Sequence, residues 1–333
     1  MTFEKIKTAI ESGKFEPIYI FSGEESYFID VLTDLLVANA LTESQRDFNQ
    51  HIFYAKDTEP QTILNTARQY PVFSDRQLII VKEAQQFKSL DAFMPYILHP
   101  VASTILVFSH KHKKIDKRTA FAKTVKDKKV VLFEAEKLKE QYIPNWISNH
   151  LKSSGYKIDE KSAYLLMEHL GNDLAKIDNE LKKLVLSVKD GHVIRDKHIE
   201  EFIGISKDFN AFEFTQAVTS KNYAKAMNIL YYFEKNPKAG PIEFVLALLF
   251  NYFSRIYQLN LLGGMSDADA MKTMGMNPYF FKDYKSGVRV YNLPKTEQII
   301  ADIAATDAKA KGINNSGVER YELLKELVFK IMH

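Results

Sequence analysis

Five short apolar runs in the first 135 residues restrict the fold more than any other feature of the chain. They are EPIYIFSG, DFNQHIFYA, RQLIIVKEA, STILVFSH and KKVVLFEA. Most are near-continuous in Val, Ile, Leu and Phe, with little polar alternation. Amphipathic stretches such as YFIDVLTDLLVANAL lie between them. TEPQTILNTARQY adds a Thr cap and a Pro in its first turn, as helices often do. Strands that read as continuous apolar runs between helices belong to a parallel sheet covered on both faces. The pattern therefore predicts an α/β domain over 1–136.

After Phe133 the strand pattern stops. QYIPNWISNHLKSSG, DEKSAYLLMEHLG and NDLAKIDNELKKLVLSV repeat at helical spacing, and Leu174, Ile177, Leu181, Leu184, Val185 and Val188 form one apolar face. This predicts a small helical domain at 137–207 and a second, all-helical domain at 208–333. GPIEFVLALLFNYF is apolar almost all round and is expected to be buried on most sides. Gly-Gly at 263–264 and Leu-Pro at 293–294 punctuate the later helices.

Hydrophobic residues make up 46% and charged residues 26%, which leaves little room for long disorder. The apolar runs are too short to span a bilayer. The first 17 residues hold acidic side chains and no apolar core, so no secretory leader is expected and a cytoplasmic location is. With no cysteine, disulfides, thiolate zinc sites and a Cys nucleophile are excluded. The nine histidines show no HExxH spacing, His110 and His112 lie in a Lys-rich stretch that reads as solvated, and no metal or cofactor is expected.

YIFSGEESYFID, residues 19–30, has the strand–turn–helix context of a phosphate loop. Such a loop needs glycines that free backbone N–H groups, a Lys for phosphate charge and a Ser or Thr for Mg²⁺. Counted from Gly23, those positions fall on Phe28, Ile29 and Asp30. Glu24 and Glu25 put negative charge where phosphate would sit. Two unit charges about 5 Å apart repel by roughly 3 kcal/mol at an effective dielectric near 20. The run LIIVKEA has the shape of the strand that carries a metal-binding Asp in ATPases, but Lys82 stands at that position. Gly23, Glu24, Glu25 and Lys82 thus read as a degenerate nucleotide site, or as a strand and turn that never belonged to one. No catalytic constellation replaces them.

The net charge is only +3, yet residues 110–129 hold nine Lys or Arg against two Asp. The stretch reads either as a solvated face or as a phosphate-contacting patch.

Taken together, PIYIFSGEESYFID, YPVFSDRQLIIVKEA, DKRTAFAKTV, GNDLAKIDNELKKL, NAFEFTQAVTSKNYAKAMNIL and ATDAKAKGI, in this order, resemble the DNA polymerase III delta subunit family of bacterial clamp loaders. The resemblance spans essentially the whole chain. It implies an AAA+-like α/β domain, a helical lid domain and a helical collar domain. It also implies a subunit that does not hydrolyse ATP itself, binds and opens the sliding clamp for loading onto primed DNA, and meets ATPase subunits through its collar. The clamp-gripping pair of the family maps onto Val72 and Phe73. By residue type alone these would be core side chains, and Val72 stands where a bulkier Leu is common. Arg68, Gln69 and Arg76 fall where a polar rim would lie, and Lys113, Lys114, Lys117 and Arg118 become candidate DNA phosphate contacts. The rival readings are a divergent AAA+ ATPase and a clamp-loader or repair scaffold that does not touch the clamp.

Overall fold

The computed structural model describes residues 1–333 apart from 127–129, 189–192, 204–205, 207–208, 277 and 315–316. The chain divides into two compact units, Met1–Leu138 and Lys139–His333.

In the first unit five strands form one parallel sheet. They are β1 (Ile18–Gly23), β2 (Gln50–Tyr54), β3 (Gln77–Lys82), β4 (Thr104–Lys111) and β5 (Val131–Ala135), in the order β2-β3-β4-β1-β5. Ile20 pairs with Phe108 on one side and Leu132 on the other. Ile79 pairs with Leu106, and Ile80 with Ile52. Around the sheet run α1 (Phe3–Glu11), α2 (Ser26–Ala40), α3 (Glu43–Asn49), α4 (Pro60–Ala67), α5 (Met94–Leu98) and α6 (Ala120–Lys126).

Successive side chains of a strand point to opposite faces, so a run that is apolar at every position needs a core on each side. Tyr19, Phe21, Leu78, Ile80, Ile105 and Val107 pack with Ile10 of α1 and Leu32 and Leu36 of α2. Ile18, Ile20, Ile79, Val81, Leu106 and Phe108 pack on the other face with Ile63 of α4, Tyr96 of α5 and Phe121 of α6. The edge strands are less covered. Ile52 and Tyr54 on β2 and Leu132 on β5 are exposed.

The expected cap of α4 shifts by one residue. Glu59, not Thr58, is the N-cap, because Pro60 occupies the first helical position. The fixed φ of proline suits that position and places the start there.

The second unit is helical. Its first part holds α7 (Ile143–Ser153), α8 (Glu160–Leu170), α9 (Leu174–Ser187) and α10 (Asp196–Ile203). Leu174, Ile177, Leu181 and Leu184 are buried as the periodicity predicts, as is Val188 just past the end of α9, while Val185 is half-buried. Contrary to the expectation that no strand follows Phe133, two-residue strands β6 (Lys157–Ile158) and β7 (Val193–Ile194) pair in parallel. Strands this short carry no readable alternation.

The rest holds α11 (Ala211–Thr219), α12 (Tyr223–Lys235), α13 (Ile242–Leu261), α14 (Asp267–Met274), α15 (Pro278–Val290), α16 (Leu293–Ala310) and α17 (Arg320–Met332). Val245, Leu249, Phe253 and Ile256 of α13 enter a core with Phe214, Phe233, Tyr291, Ile299 and Leu327. Its burial is narrower than expected. Ala247 and Phe250 are exposed, and Phe244, Ala247 and Leu248 border an open cavity of ≈ 640 Å³. No helix among the described residues is long and apolar enough to cross a membrane.

Candidate functional site

Parallel strands end on one edge of their sheet, and that edge is where open α/β sheets bind ligands. Gly23 closes β1 there, and Lys82 closes β3, with β4 between them. At the usual strand spacing the two positions lie about 10 Å apart. The structure thus brings the two candidate nucleotide-site positions to one edge.

The turn after β1 is closed by the protein itself. Gly23 N–H donates to the Lys113 carbonyl at 3.0 Å, and the N–H groups of Glu24 and Glu25 donate to the Ala135 carbonyl at 2.9 and 3.2 Å. The Glu25 carboxylate caps α2 by accepting from Tyr27 N–H at 3.3 Å, while Glu24 faces solvent. A phosphate loop works by aiming these N–H groups outward. Here three are already spent on carbonyls. Lys111 reaches Asp30, in the first turn-and-a-half of α2, at 2.6 Å. Lys82 is half-buried, with its ammonium 5.9 Å from the centre of the Tyr54 ring.

The segment joining α4 to β3, residues 68–76, precedes β3 and so lies at the opposite edge. Six strand residues at ~3.3 Å each put it about 20 Å from the end of β3. Here Tyr70 is 86%, Val72 45% and Phe73 98% exposed. Val72 and Phe73 are therefore surface residues, against what their residue types alone suggest. Phe73 has φ +50°, a left-handed conformation that is uncommon for a bulky residue.

Both ends of this segment are pinned. The side chain of Gln77, 2% exposed, donates to the carbonyls of Gln69 at 2.7 Å and Thr66 at 3.2 Å, and to Thr104 Oγ1 at 2.9 Å. Thr104 Oγ1 and the Tyr96 hydroxyl both donate to the Ala67 carbonyl, at 2.9 and 3.2 Å. The carbonyls of Ala67 and Gln69 thus find side-chain donors where the α4 ladder runs out, and that of Thr66 gains a second donor beside Gln69 N–H. Further along, Asn49 at the end of α3 bonds both backbone groups of Val72. Arg68 and Gln69 are exposed at the end of α4. Arg76 is half-buried with its guanidinium 4.9 Å from the centre of the Phe15 ring. It borders a cleft of ≈ 510 Å³ that Phe15, Asn39, Thr42, Gln45 and Ser74 also line.

Sequence reasoning missed Tyr70, Asn49 and Gln77. The Tyr70-Pro71 step gave a signal for Tyr70, because proline ends the preceding helix and turns the chain outward. Nothing in the sequence links Asn49 to a residue 23 positions away.

Part of the basic stretch is paired with acids, some from neighbouring elements. Lys114 contacts Glu134 at 3.1 Å and Glu136 at 3.0 Å, and Lys117 contacts Glu134 at 3.0 Å. Arg118 forks onto Asp116, 2.7 Å at the shortest. That guanidinium holds the Asp116 carboxyl down at about 2. Lys117 lowers Glu134 more than its partial burial raises it, with Lys114 adding to the effect. Lys113 is exposed and, among the described residues, forms no ion pair, while its carbonyl holds Gly23. The last three residues of the stretch, 127–129, lie outside the described residues.

In the second unit, the cavity beside α13 is lined by Tyr164, Phe212, Tyr252, Arg255 and Asp283 among others. Arg255 donates one N–H to the Met274 carbonyl at 2.9 Å, and burial pushes the Tyr252 hydroxyl up to about 12. Among the described residues no three His, Asp or Glu side chains are arranged to hold a metal ion.

The chain matches the family described as DNA polymerase III, delta subunit, over residues 19–136. It matches the family described as DNA polymerase III delta subunit, C-terminal domain, over residues 208–329. It is 19% identical over 320 residues to the probable DNA polymerase III subunit delta of Aquifex aeolicus (strain VF5), covering 93% of this chain and 90% of that one. The solved Bacillus subtilis DNA clamp loader delta protein is similar with a TM-score of 0.62 at 20% identity, over 99% of each chain. That last likeness establishes the fold.

The closed turn can be tested directly. A Cβ at position 23 would lie 2.1 Å from the Ala135 carbonyl oxygen, on a backbone with φ +134°. Gly23→Ala is expected to destabilise the protein by about 2–5 kcal/mol, combining backbone strain and overpacking. Urea unfolding checks this, and a variant within about 0.5 kcal/mol of the parent would show that the end of β5 can retreat.

Proposed function

Because the chain belongs to the DNA polymerase III delta subunit family, we propose that it is the clamp-loader subunit that grips the ring-shaped sliding clamp and holds it open for loading onto primed DNA. The observation that carries this reading is Phe73. It is 98% exposed and left-handed, on a segment fastened at Gln69 and Val72. Strain of this kind persists where surrounding contacts impose it, and it clusters at ligand-gripping sites. A pinned, exposed aromatic loses little conformational freedom when it enters a partner's pocket. Val72 and Tyr70 flank it as further apolar contacts. Arg68, Gln69 and Arg76 serve as the polar rim, with Arg76 already held against Phe15.

Opening a ring requires only that the anchor bind the sprung conformation of the clamp better than the closed one. No bond is made or broken. The subunit works without hydrolysing ATP, a reading supported by the three backbone N–H groups already bonded at residues 23–25 and by Lys82 at the end of β3. In this reading the first unit is the AAA+-like domain, 137–207 the lid and 208–333 the collar that meets the ATPase subunits. The work is done in the cytoplasm, on DNA.

Lys113, Lys114, Lys117 and Arg118 are proposed as phosphate contacts within the assembled loader. Exposed ion pairs are worth about 0–1 kcal/mol, so a phosphate can take over a lysine from Glu134.

Three outcomes are expected. Substituting Val72 and Phe73 together by Ala should weaken clamp binding about 100-fold, or roughly 3 kcal/mol. Surface plasmon resonance with immobilised clamp measures this, and because both side chains are exposed the melting temperature should hold. Unchanged affinity would point to a scaffold that does not touch the clamp. Calorimetric titration of the isolated chain with ATP and Mg²⁺ should give no heat of binding in the micromolar range, and micromolar affinity with turnover would favour the divergent ATPase. Replacing Lys113 and Lys117 by Gln should lower the slope of log affinity against log salt for primed DNA, in the assembled loader, by about 1–2. An unchanged slope leaves the stretch as a solvated face.

A further inference from the structure

We propose that Asn49 is the positioning residue of the clamp-gripping segment: its buried side-chain amide clips the backbone of Val72 and thereby holds Phe73 in its displayed, left-handed conformation. This rests on the reading of Val72 and Phe73 as the clamp anchor.

Asn49 is the last residue of α3 and is 1% exposed. Its Oδ1 accepts from Val72 N–H at 2.7 Å, and its Nδ2 donates to the Val72 carbonyl at 2.9 Å and to the Gln45 carbonyl at 3.1 Å. The orientation of the amide follows from its partners. Val72 N–H can only donate and the two carbonyls can only accept, so oxygen must face the first and nitrogen the others.

An amide that engages both the N–H and the C=O of one residue does for Val72 what a neighbouring strand would do. It fixes the position of both peptide groups flanking that residue. Pro71 restricts the chain immediately before, and Ser74 bonds the Arg76 backbone shortly after, its Oγ donating to the Arg76 carbonyl at 3.0 Å. Between these restraints Phe73 holds φ +50°. Its own side chain is 98% exposed and has little packing to impose that conformation. The restraint comes from its neighbours, and the clip on Val72 is the tightest of them. Without it, Phe73 is free to return to negative φ, which redirects the ring. Asn49 itself is too buried to touch a partner, so its effect on binding must pass through Val72 and Phe73.

Two side-chain changes separate this role from simple support of the fold. Asn49→Ala removes all three bonds. Asn49→Asp keeps size and the acceptor for Val72 N–H, but turns a second oxygen toward the Val72 carbonyl, where two acceptors oppose each other. Both variants are expected to weaken clamp binding about tenfold in the full chain, with Val72 and Phe73 unchanged. The Val72 amide should exchange faster with deuterium. In a Phe73→Ala background Asn49→Ala should cost little more, because the group it positions is gone.

Surface plasmon resonance on Asn49→Ala, Phe73→Ala, the double variant and the Val72→Ala/Phe73→Ala variant reads each case. If Val72→Ala/Phe73→Ala binds like the parent protein, the anchor reading fails and takes this role with it. If that variant loses binding while Asn49→Ala keeps the parent's affinity, or if Asn49→Ala costs the same with and without Phe73, the role of Asn49 alone is overturned. Should the substitutions prevent folding, exchange at Val72 in the unmodified protein decides. A protected Val72 amide supports the clip, and an unprotected one refutes it.

Discussion

At the strand-end edge of the first unit, the carbonyl of Ala135 occupies the space that a side chain at position 23 would need. That contact organises everything around it. It accepts the N–H groups of Glu24 and Glu25, and Lys113 accepts that of Gly23, so the turn is bound by the end of β5 on one side and by the segment after β4 on the other. The helix α2 then starts from a turn whose N–H groups at residues 23–25 are already bonded, and Glu25 supplies its cap. The same bonds that stabilise the parallel sheet at its edge remove the groups by which a turn of this shape would hold a phosphate.

The exposed apolar side chains of residues 70–73 lie away from that edge. The segment before β3 sits at the other edge, and it is built unlike an ordinary connection. Loops are usually polar and mobile, whereas this one carries Tyr70, Val72 and Phe73 outward while buried Gln77 and Asn49 fasten its backbone. Large exposed side chains on a fastened backbone gain nothing for folding. They are the arrangement expected of a surface whose apolar area is covered by a partner.

The sheet was legible in the sequence because its central strands are buried on both faces. Ile18 to Phe21, Leu78 to Val81 and Ile105 to Phe108 have no polar position to interrupt the run, and that is a strong signal. The two-residue strands β6 and β7 were not legible, since they are shorter than one period of any pattern. The exposed side of α13 was missed for a different reason. Composition marks Ala247 and Phe250 as apolar, but only packing reveals that a cavity lies beside Ala247. At the candidate site the sequence led the other way. Val72 and Phe73 read as core by type, and it was the family resemblance, supported by Pro71 before them and Ser74-Asp75 after them, that suggested exposure. The basic stretch read as more strongly positive than it is because the acids that pair with Lys111, Lys114 and Lys117, namely Asp30, Glu134 and Glu136, belong to α2, β5 and the residue after β5. Local charge counts do not see across a sheet.

The least legible residue is also the one that explains the geometry of the site. Asn49 ends a short helix, a common place for an asparagine, and nothing local marks it. Its meaning arises only when the fold brings it against Val72, where one side-chain amide substitutes for a missing strand. β2 is the sheet's edge on this side and β3 has not yet begun, so no ladder is available to hold residues 70–74. A buried polar group is costly unless bonded, and here all of the bonds of Asn49 go to backbone groups, two of them on the segment that would otherwise be free. The fold thus spends a fully satisfied amide to order a loop that carries its apolar side chains outward. That expenditure makes physical sense if the order is used in binding, because the entropy of fixing the loop is then lost on folding and need not be lost again when a partner arrives.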